Sequence, residues 1–164
     1  MIARTLVLAG GIVGAAGLSQ FPEYSQQYTQ RLGGAVDALA QVADDFDASA
    51  AAEGMTRDQA LAEMTGTAFV ERRRADMARS FERFARLRAD LEVLQSAGPF
   101  MRAYRGARLT DPEIANAAFA AYKPAVPVTF EGLVFAATGF GLGIAIVWGI
   151  MALVLSPYRR RVGV

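Results

Sequence analysis

Two stretches of the chain contain no charged side chain, and they stand at its two ends. Thr5–Phe21 reads TLVLAGGIVGAAGLSQF, 17 residues, near the short limit for a helix that crosses a bilayer. Gly132–Tyr158 reads GLVFAATGFGLGIAIVWGIMALVLSPY, 27 residues, enough to cross with some tilt. A helix of that length with apolar residues on every side has no polar face to turn to water. The pattern therefore predicts a transmembrane helix over residues 1–21 and a second over 129–158. The first also has features of a secretory signal, namely Arg4 ahead of a short apolar run and small residues at Gly14–Gly17. That run continues past the small residues through Leu18 to Phe21, which favours an uncleaved anchor over a cleaved signal.

Between the apolar ends no stretch alternates with period two, and the spacing is helical. Apolar residues recur at Tyr24, Tyr28, Leu32, Ala35, Leu39, Val42 and Phe46, in steps of three and four. This is the coiled-coil-like seam of one helix packed on another. Pro22 suits a first helical position, and Gly33-Gly34 marks a bend or a close contact. Gly54 is the expected stop, and Thr56-Arg57-Asp58-Gln59 the expected capping box of the next helix. That helix is predicted to run unbroken to about Ser96, with Met77, Phe81, Phe84, Leu87, Leu91 and Leu94 on its apolar side and Gly98-Pro99 ending it. A short connection at Gly54 folds two such helices antiparallel. Thr110-Asp111-Pro112-Glu113 predicts a further short helix, with Thr110 as its cap, running to about Tyr122. Lys123–Pro127 reads as extended chain, and Thr129 as the cap of the second span.

The expected fold is an all-α membrane protein, with two transmembrane helices flanking a long antiparallel periplasmic helical hairpin plus a short helix. Its segments are a first span (1–21), the hairpin (22–98), a short interfacial helix and linker (99–128), the second span (129–158) and a basic cytoplasmic tail (159–164). Orientation follows from the flanking charges. Arg4 precedes the first span, and Arg159, Arg160 and Arg161 follow the second. Positive residues next to spans stay cytoplasmic, so both termini are expected inside and residues 22–131 in the periplasm of a bacterial inner membrane. The net charge of +1 hides this division, because all 16 acidic residues lie between Glu23 and Glu131, alongside 13 of the 17 basic ones.

The chain has no Cys and no His. That excludes disulfides, Cys and His metal sites, thiol nucleophiles and imidazole acid–base chemistry. No cofactor is implied. Asp44-Asp45-Phe46-Asp47 is the one dense acidic cluster, but a calcium loop read from Asp45 has Ala50 at its sixth position and Thr56 at its twelfth, where Gly and Glu are needed. A solvated helix face is the plainer reading. Arg72-Arg73-Arg74 with Arg79, Arg83, Arg86 and Arg88 forms a basic helix interleaved with Glu71, Asp76, Glu82 and Asp90. Ion pairing along the helix competes there with docking to an acidic protein, and nucleic acid does not fit the expected compartment.

Phe100, Met101, Arg102, Tyr104, Arg105 and Arg108 mix aromatic and basic groups. They suit either anionic headgroups or a cover over the base of the hairpin. The most specific pattern lies in the spans. Ala137, Gly141, Ala145 and Gly149 recur every four residues, Gly139 and Gly143 form a neighbouring pair, and the first span has Gly10 and Gly14. Small residues at that spacing let helix backbones approach closely in lipid. The spans either pack on each other or receive a helix from another protein. Neither has an ionisable side chain in its interior, which argues against a proton or ion path.

The run Leu18-Ser19-Gln20-Phe21-Pro22-Glu23-Tyr24, continuing through Gln26-Gln27-Tyr28 to Gln30-Arg31-Leu32-Gly33-Gly34, together with the late second span, resembles a family of small proteobacterial inner-membrane proteins of uncharacterised function. The resemblance implies a bacterial inner-membrane location and carries over no active-site residue. Packing surfaces without chemical groups lead to the expectation of a non-enzymatic accessory or scaffolding subunit. It would belong to an inner-membrane complex, respiratory or photosynthetic assemblies being examples. The expected partners are the lipid bilayer and either an integral membrane protein or a second copy. A self-assembling envelope organiser or periplasmic-face lipid-binding protein is the alternative.

Overall fold

The computed structural model describes residues 2–124, 126 and 128–161, with side chains through Val154. All elements among the described residues are helical: α1 (Ile2–Leu18), α2 (Phe21–Ala52), α3 (Arg57–Glu63), α4 (Ala68–Gln95), α5 (Pro99–Tyr104), a 3-10 turn (Gly106–Arg108), α6 (Pro112–Ala121) and α7 (Phe130–Arg161). Two of them, α7 over Phe130–Val154 and the stretch beginning at Ile2, are long and apolar enough to cross a membrane. The core helix of a water-soluble domain buries most of its apolar surface, whereas these apolar windows are 6% and 11% buried. The expectation of two apolar helices in an all-α chain therefore stands. The chain divides into two compact units, residues 1–26 with 121–164, and residues 27–120.

In the first unit α1 lies against α7. Phe21 stacks on Phe135 with ring centroids 5.4 Å apart, while Gly14 meets Gly139 and Gly10 meets Gly143 and Val147. Rising numbers on α1 meet falling numbers on α7, so the helices run antiparallel. Between α1 and α2 the chain turns at Ser19-Gln20. Pro22 has no N–H for the carbonyl of Leu18, which opens the helical ladder at this point. Ser19 Oγ donates to Ala16 O at 3.0 Å, and Gln20 Nε2 donates to Ser19 Oγ at 3.0 Å. Tyr122 returns to the same place, its hydroxyl bonded to Gln20 Oε1 and its ring edge-on to Tyr24 at 6.4 Å. Burial, followed by the nearby Glu23 carboxylate, raises the Tyr122 phenol pKa.

The second unit holds the buried core, formed by Tyr28, Leu32, Val36, Ala43 and Ala50 of α2, Leu87, Leu91 and Leu94 of α4, Ala97, and Ile114 and Ala118 of α6. The α4 side of this core is as the spacing predicted. The α2 side is corrected beyond Leu32. Val36 and Ala43 are buried where Ala35 and Val42 were expected, and Val42 is 44% exposed. The buried positions Val36, Ala43 and Ala50 are seven apart, whereas a seam drawn through the larger side chains drifts to the next column of the helix. Phe46 packs edge-on against Phe81 at 5.2 Å, and a Cβ added at Gly33 would lie 4.0 Å from Leu91 Cδ1. Over this stretch α2 and α4 run in opposite directions. Gly33 and Gly34 lie inside α2 without ending it.

The turn after α2 follows its sequence. Gly54 has φ +71°, and the Met55 and Gly54 amides donate to Ala50 O and Ala51 O at 2.9 and 3.0 Å. This double bond is the Schellman arrangement that a left-handed glycine permits. Thr56 and Gln59 then form the reciprocal capping box, with bonds of 3.3 and 2.8 Å. The long helix expected after it is broken instead. Gly66 has φ +110°, a conformation that strains any residue with a Cβ. Thr67 then starts α4 by accepting from the Val70 amide at 3.2 Å. The segment Thr65-Gly66-Thr67 contains both signals, a left-handed glycine and a threonine cap.

A second correction concerns α6. Its cap is Asp111, one residue later than expected, with Oδ1 accepting from the Glu113 and Ile114 amides at 3.1 Å each. Pro112 is then the first helical residue, the position where a missing N–H costs nothing. Thr129 caps α7 as predicted, its Oγ1 accepting from Gly132 N at 3.1 Å.

Candidate functional site

The surfaces singled out in the sequence fall at three places. The first is the contact between α1 and α7. A Cβ added at Gly14 would overlap the carbonyl of Gly139, and one at Gly139 would overlap the carbonyl of Gly14. One at Gly143 would overlap the carbonyl of Gly10, and one at Gly11 would come within 2.7 Å of the Phe140 ring. The backbones thus touch where both helices lack side chains, the geometry that small residues allow within a bilayer. The residues that do this on α7 are Gly139 and Gly143. Ala137, Gly141, Ala145 and Gly149 all lie on the exposed side of α7, and a Cβ at Gly141 or Gly149 would meet nothing within 4 Å. Of the two small-residue columns on α7, one is occupied by α1 and the other is open.

Arg4 is exposed near the start of α1. Arg159, Arg160 and Arg161 lie outside the residues whose side chains are described.

The second place is the C-terminal end of α4. The last four carbonyls of a helix lack intrahelical donors and carry partial negative charge. Here Arg102 Nε donates to Leu94 O at 3.1 Å and Arg105 NH1 to Val93 O at 3.2 Å. Ser96 Oγ lies 3.2 Å from both Glu92 O and Val93 O. Arg108 NH1 bonds Asp90 Oδ1 at 2.8 Å. The three arginines of the aromatic-basic stretch therefore fold back onto α4. Its apolar members point outward, with Phe100 and Met101 each 45% exposed and Tyr104 85% exposed. The Arg102 and Arg105 guanidinium groups thus hold the end of α4, while Phe100 and Tyr104 are exposed.

The third place joins α2, α4 and α6. Arg83 NH2 meets Glu113 Oε2 at 2.6 Å and Asp111 Oδ1 at 3.3 Å. The Glu113 bond, opposed by burial, leaves the Arg83 pKa raised. Arg83 Nε is buried without a hydrogen-bond partner, and the Asp111 amide donates to the Tyr28 hydroxyl at 3.1 Å. Beside them a groove of about 400 Å³ is lined by Arg31, Gly34, Ala35, Ile114 and Ala117. Spacing alone did not find this cluster, since 28 residues separate Arg83 from Asp111 and 83 separate Asp111 from Tyr28.

The acidic cluster is explained by one pair. Arg57 grips Asp47 with two bonds, Nε to Oδ1 at 2.7 Å and NH2 to Oδ2 at 2.5 Å. The same guanidinium lies 4.4 Å from the centre of the Phe81 ring, a cation–π contact. The Arg57 hydrogen bonds hold the Asp47 carboxyl below its ordinary range. Asp44 and Asp45 are exposed. On the basic helix Arg73 and Arg79 pair with Asp76, and Arg88 with Glu92, so much of its charge is balanced within α4. Among the described residues no group of three or more acidic, His or Cys side chains is arranged to hold a metal ion.

No curated protein and no solved structure matches the chain. One family does, described as "Protein of unknown function (DUF2937)", and it matches residues 2–160. The chain belongs to that family.

Proposed function

We propose that this chain is a non-enzymatic accessory or scaffolding subunit of a bacterial inner-membrane complex. In this reading α1 and α7 span the bilayer as an antiparallel pair, both termini are cytoplasmic, and residues 22–131 form a periplasmic helical hairpin with its short helix. The positive residues beside the spans support the orientation. The observation that carries the role is the open column Ala137, Gly141, Ala145 and Gly149. The first column of small residues, Gly139 and Gly143, accounts for the pairing of α1 with α7. Among the described residues nothing lies within 4 Å of a Cβ placed at Gly141 or Gly149 of the second, and its spacing suits a helix from another membrane protein.

The test is co-purification from native membranes in a mild detergent, comparing the unsubstituted chain with Gly141→Leu. A defined set of membrane subunits that is lost on Gly141→Leu is the expected result. Recovery of lone monomers from both chains would sink the proposal. The same column is also self-complementary, so recovery of a homo-oligomer dispersed by Gly141→Leu would favour the envelope-organiser reading.

A further inference from the structure

We propose that the groove lined by α2, α4 and α6 is a binding site for a small monocarboxylate with an apolar body, anchored by Arg31. Its lining lies wholly within residues 27–120, so the site stands apart from any crossing of a bilayer by α1 and α7. Gly34 and Ala35 line it from α2, and Ile114 and Ala117 from α6. These four residues bring no polar side chain, which leaves an apolar surface for the body of a ligand. With a volume of about 400 Å³, the groove falls within the range of small-molecule sites, about 300–1,000 Å³.

Two guanidinium groups border this surface, and they differ. Arg83 is committed to the protein, its NH2 bonding Glu113 Oε2 and Asp111 Oδ1. Its Nε is buried without a partner, so this corner is short of acceptors and not of donors. Arg31 is exposed and, among the described residues, makes no hydrogen bond or ion pair. Its planar fork suits a carboxylate, which accepts two parallel N–H···O bonds. Charge then narrows the class. Arg31 and Arg83 offset Asp111 and Glu113 one for one. A monoanion on Arg31 supplies the missing counter-charge, whereas a phosphate dianion would be repelled by the two carboxylates already there. A neutral apolar molecule would leave Arg31 unused.

The probe is radiolabelled 4-methylpentanoate, dialysed to equilibrium against the full chain in lipid nanodiscs, with empty nanodiscs correcting for uptake by lipid. Saturable binding of one molecule per chain is expected. Neutral 4-methylpentanamide should not displace it. Acetate, which has the charge without the apolar body, should compete about tenfold more weakly. Arg31→Gln should weaken binding about fivefold. Gly34→Leu should weaken it by a similar factor, because a Cβ there meets nothing within 4 Å and the new side chain has the groove to fill. Both positions are exposed, so thermal unfolding should show both variants folded. Unchanged binding by Arg31→Gln or by Gly34→Leu would overturn the site. So would uptake no greater than that of empty nanodiscs, or displacement by the amide or by acetate as readily as by unlabelled 4-methylpentanoate. The amide and acetate comparisons use the unsubstituted chain, so they decide the matter even where a variant fails to fold.

Discussion

Asp111 shows how much one side chain can organise. Its carboxylate caps α6 and receives Arg83, and its amide holds the Tyr28 hydroxyl. Loss of a helix cap costs about 1 kcal/mol. Asp111→Ala removes the cap but keeps the amide that donates to Tyr28, and Arg83 keeps its bond to Glu113, so it is expected to destabilise the protein by about 1–2 kcal/mol. Thr110→Ala, the cap suggested by the sequence, should change stability by less than about 0.5 kcal/mol. Thermal unfolding of the full chain in detergent compares the two. The misplacement by one residue has a physical origin. Thr and Asp are both good caps, and Pro112 fits the first helical position only when the residue before it does the capping. The Asp47–Arg57 pair gives a pH-dependent signature. Its folded pKa lies below the ordinary value of 3.8, so its stabilisation is present above that pH and lost as the pH falls through the folded value. Asp47→Asn should lower the unfolding midpoint at neutral pH, with the difference closing progressively below about pH 3.8. A constant difference across that range would show that the pair contributes no charge-dependent stability.

The elements divide according to whether their signals are local. Capping at Thr56 and Thr129 and the left-handed Gly54 are decided within five residues, and the sequence locates each of them. The break between α3 and α4 is equally local, yet Thr65-Gly66-Thr67 sits inside a long helical pattern that masks it. Hydrogen exchange should show fast-exchanging amides at residues 66–69 between two protected helices. A continuous protected run from 57 to 95 would contradict the break. Which column of α7 meets α1 is not local, because Gly139 and Gly141 both belong to rows of small residues. Only the partner's own glycines at Gly10 and Gly14 select the first. A side chain at Gly14 meets backbone atoms of Gly139 that cannot rotate away. Gly14→Leu should thus cost about 1–3 kcal/mol through overpacking and separate α1 from α7. Gly141→Leu, facing open space, should leave the folded stability within about 0.5 kcal/mol.

At the scale of the whole molecule, two facts combine. The apolar excess is confined to α1 and α7, which run antiparallel, so the beginning of α1 and the far end of α7 share one end of the pair. If that pair crosses a bilayer, everything between the spans lies on the opposite side. The two apolar helices were legible because they depend only on runs of uncharged residues at the two ends of the chain. The Arg83–Asp111–Tyr28 cluster and the inward turn of Arg102 and Arg105 were not legible, because they depend on which helices meet. The central claim is the two-span topology with residues 22–131 on the periplasmic side, and cysteine labelling in intact cells tests it most directly. With no native Cys to interfere, Ser49→Cys should react with a membrane-impermeant maleimide in intact cells with a permeabilised outer membrane. Ile2→Cys should react only after the inner membrane is opened. Protection of Ser49→Cys, or labelling of Ile2→Cys before lysis, would contradict it.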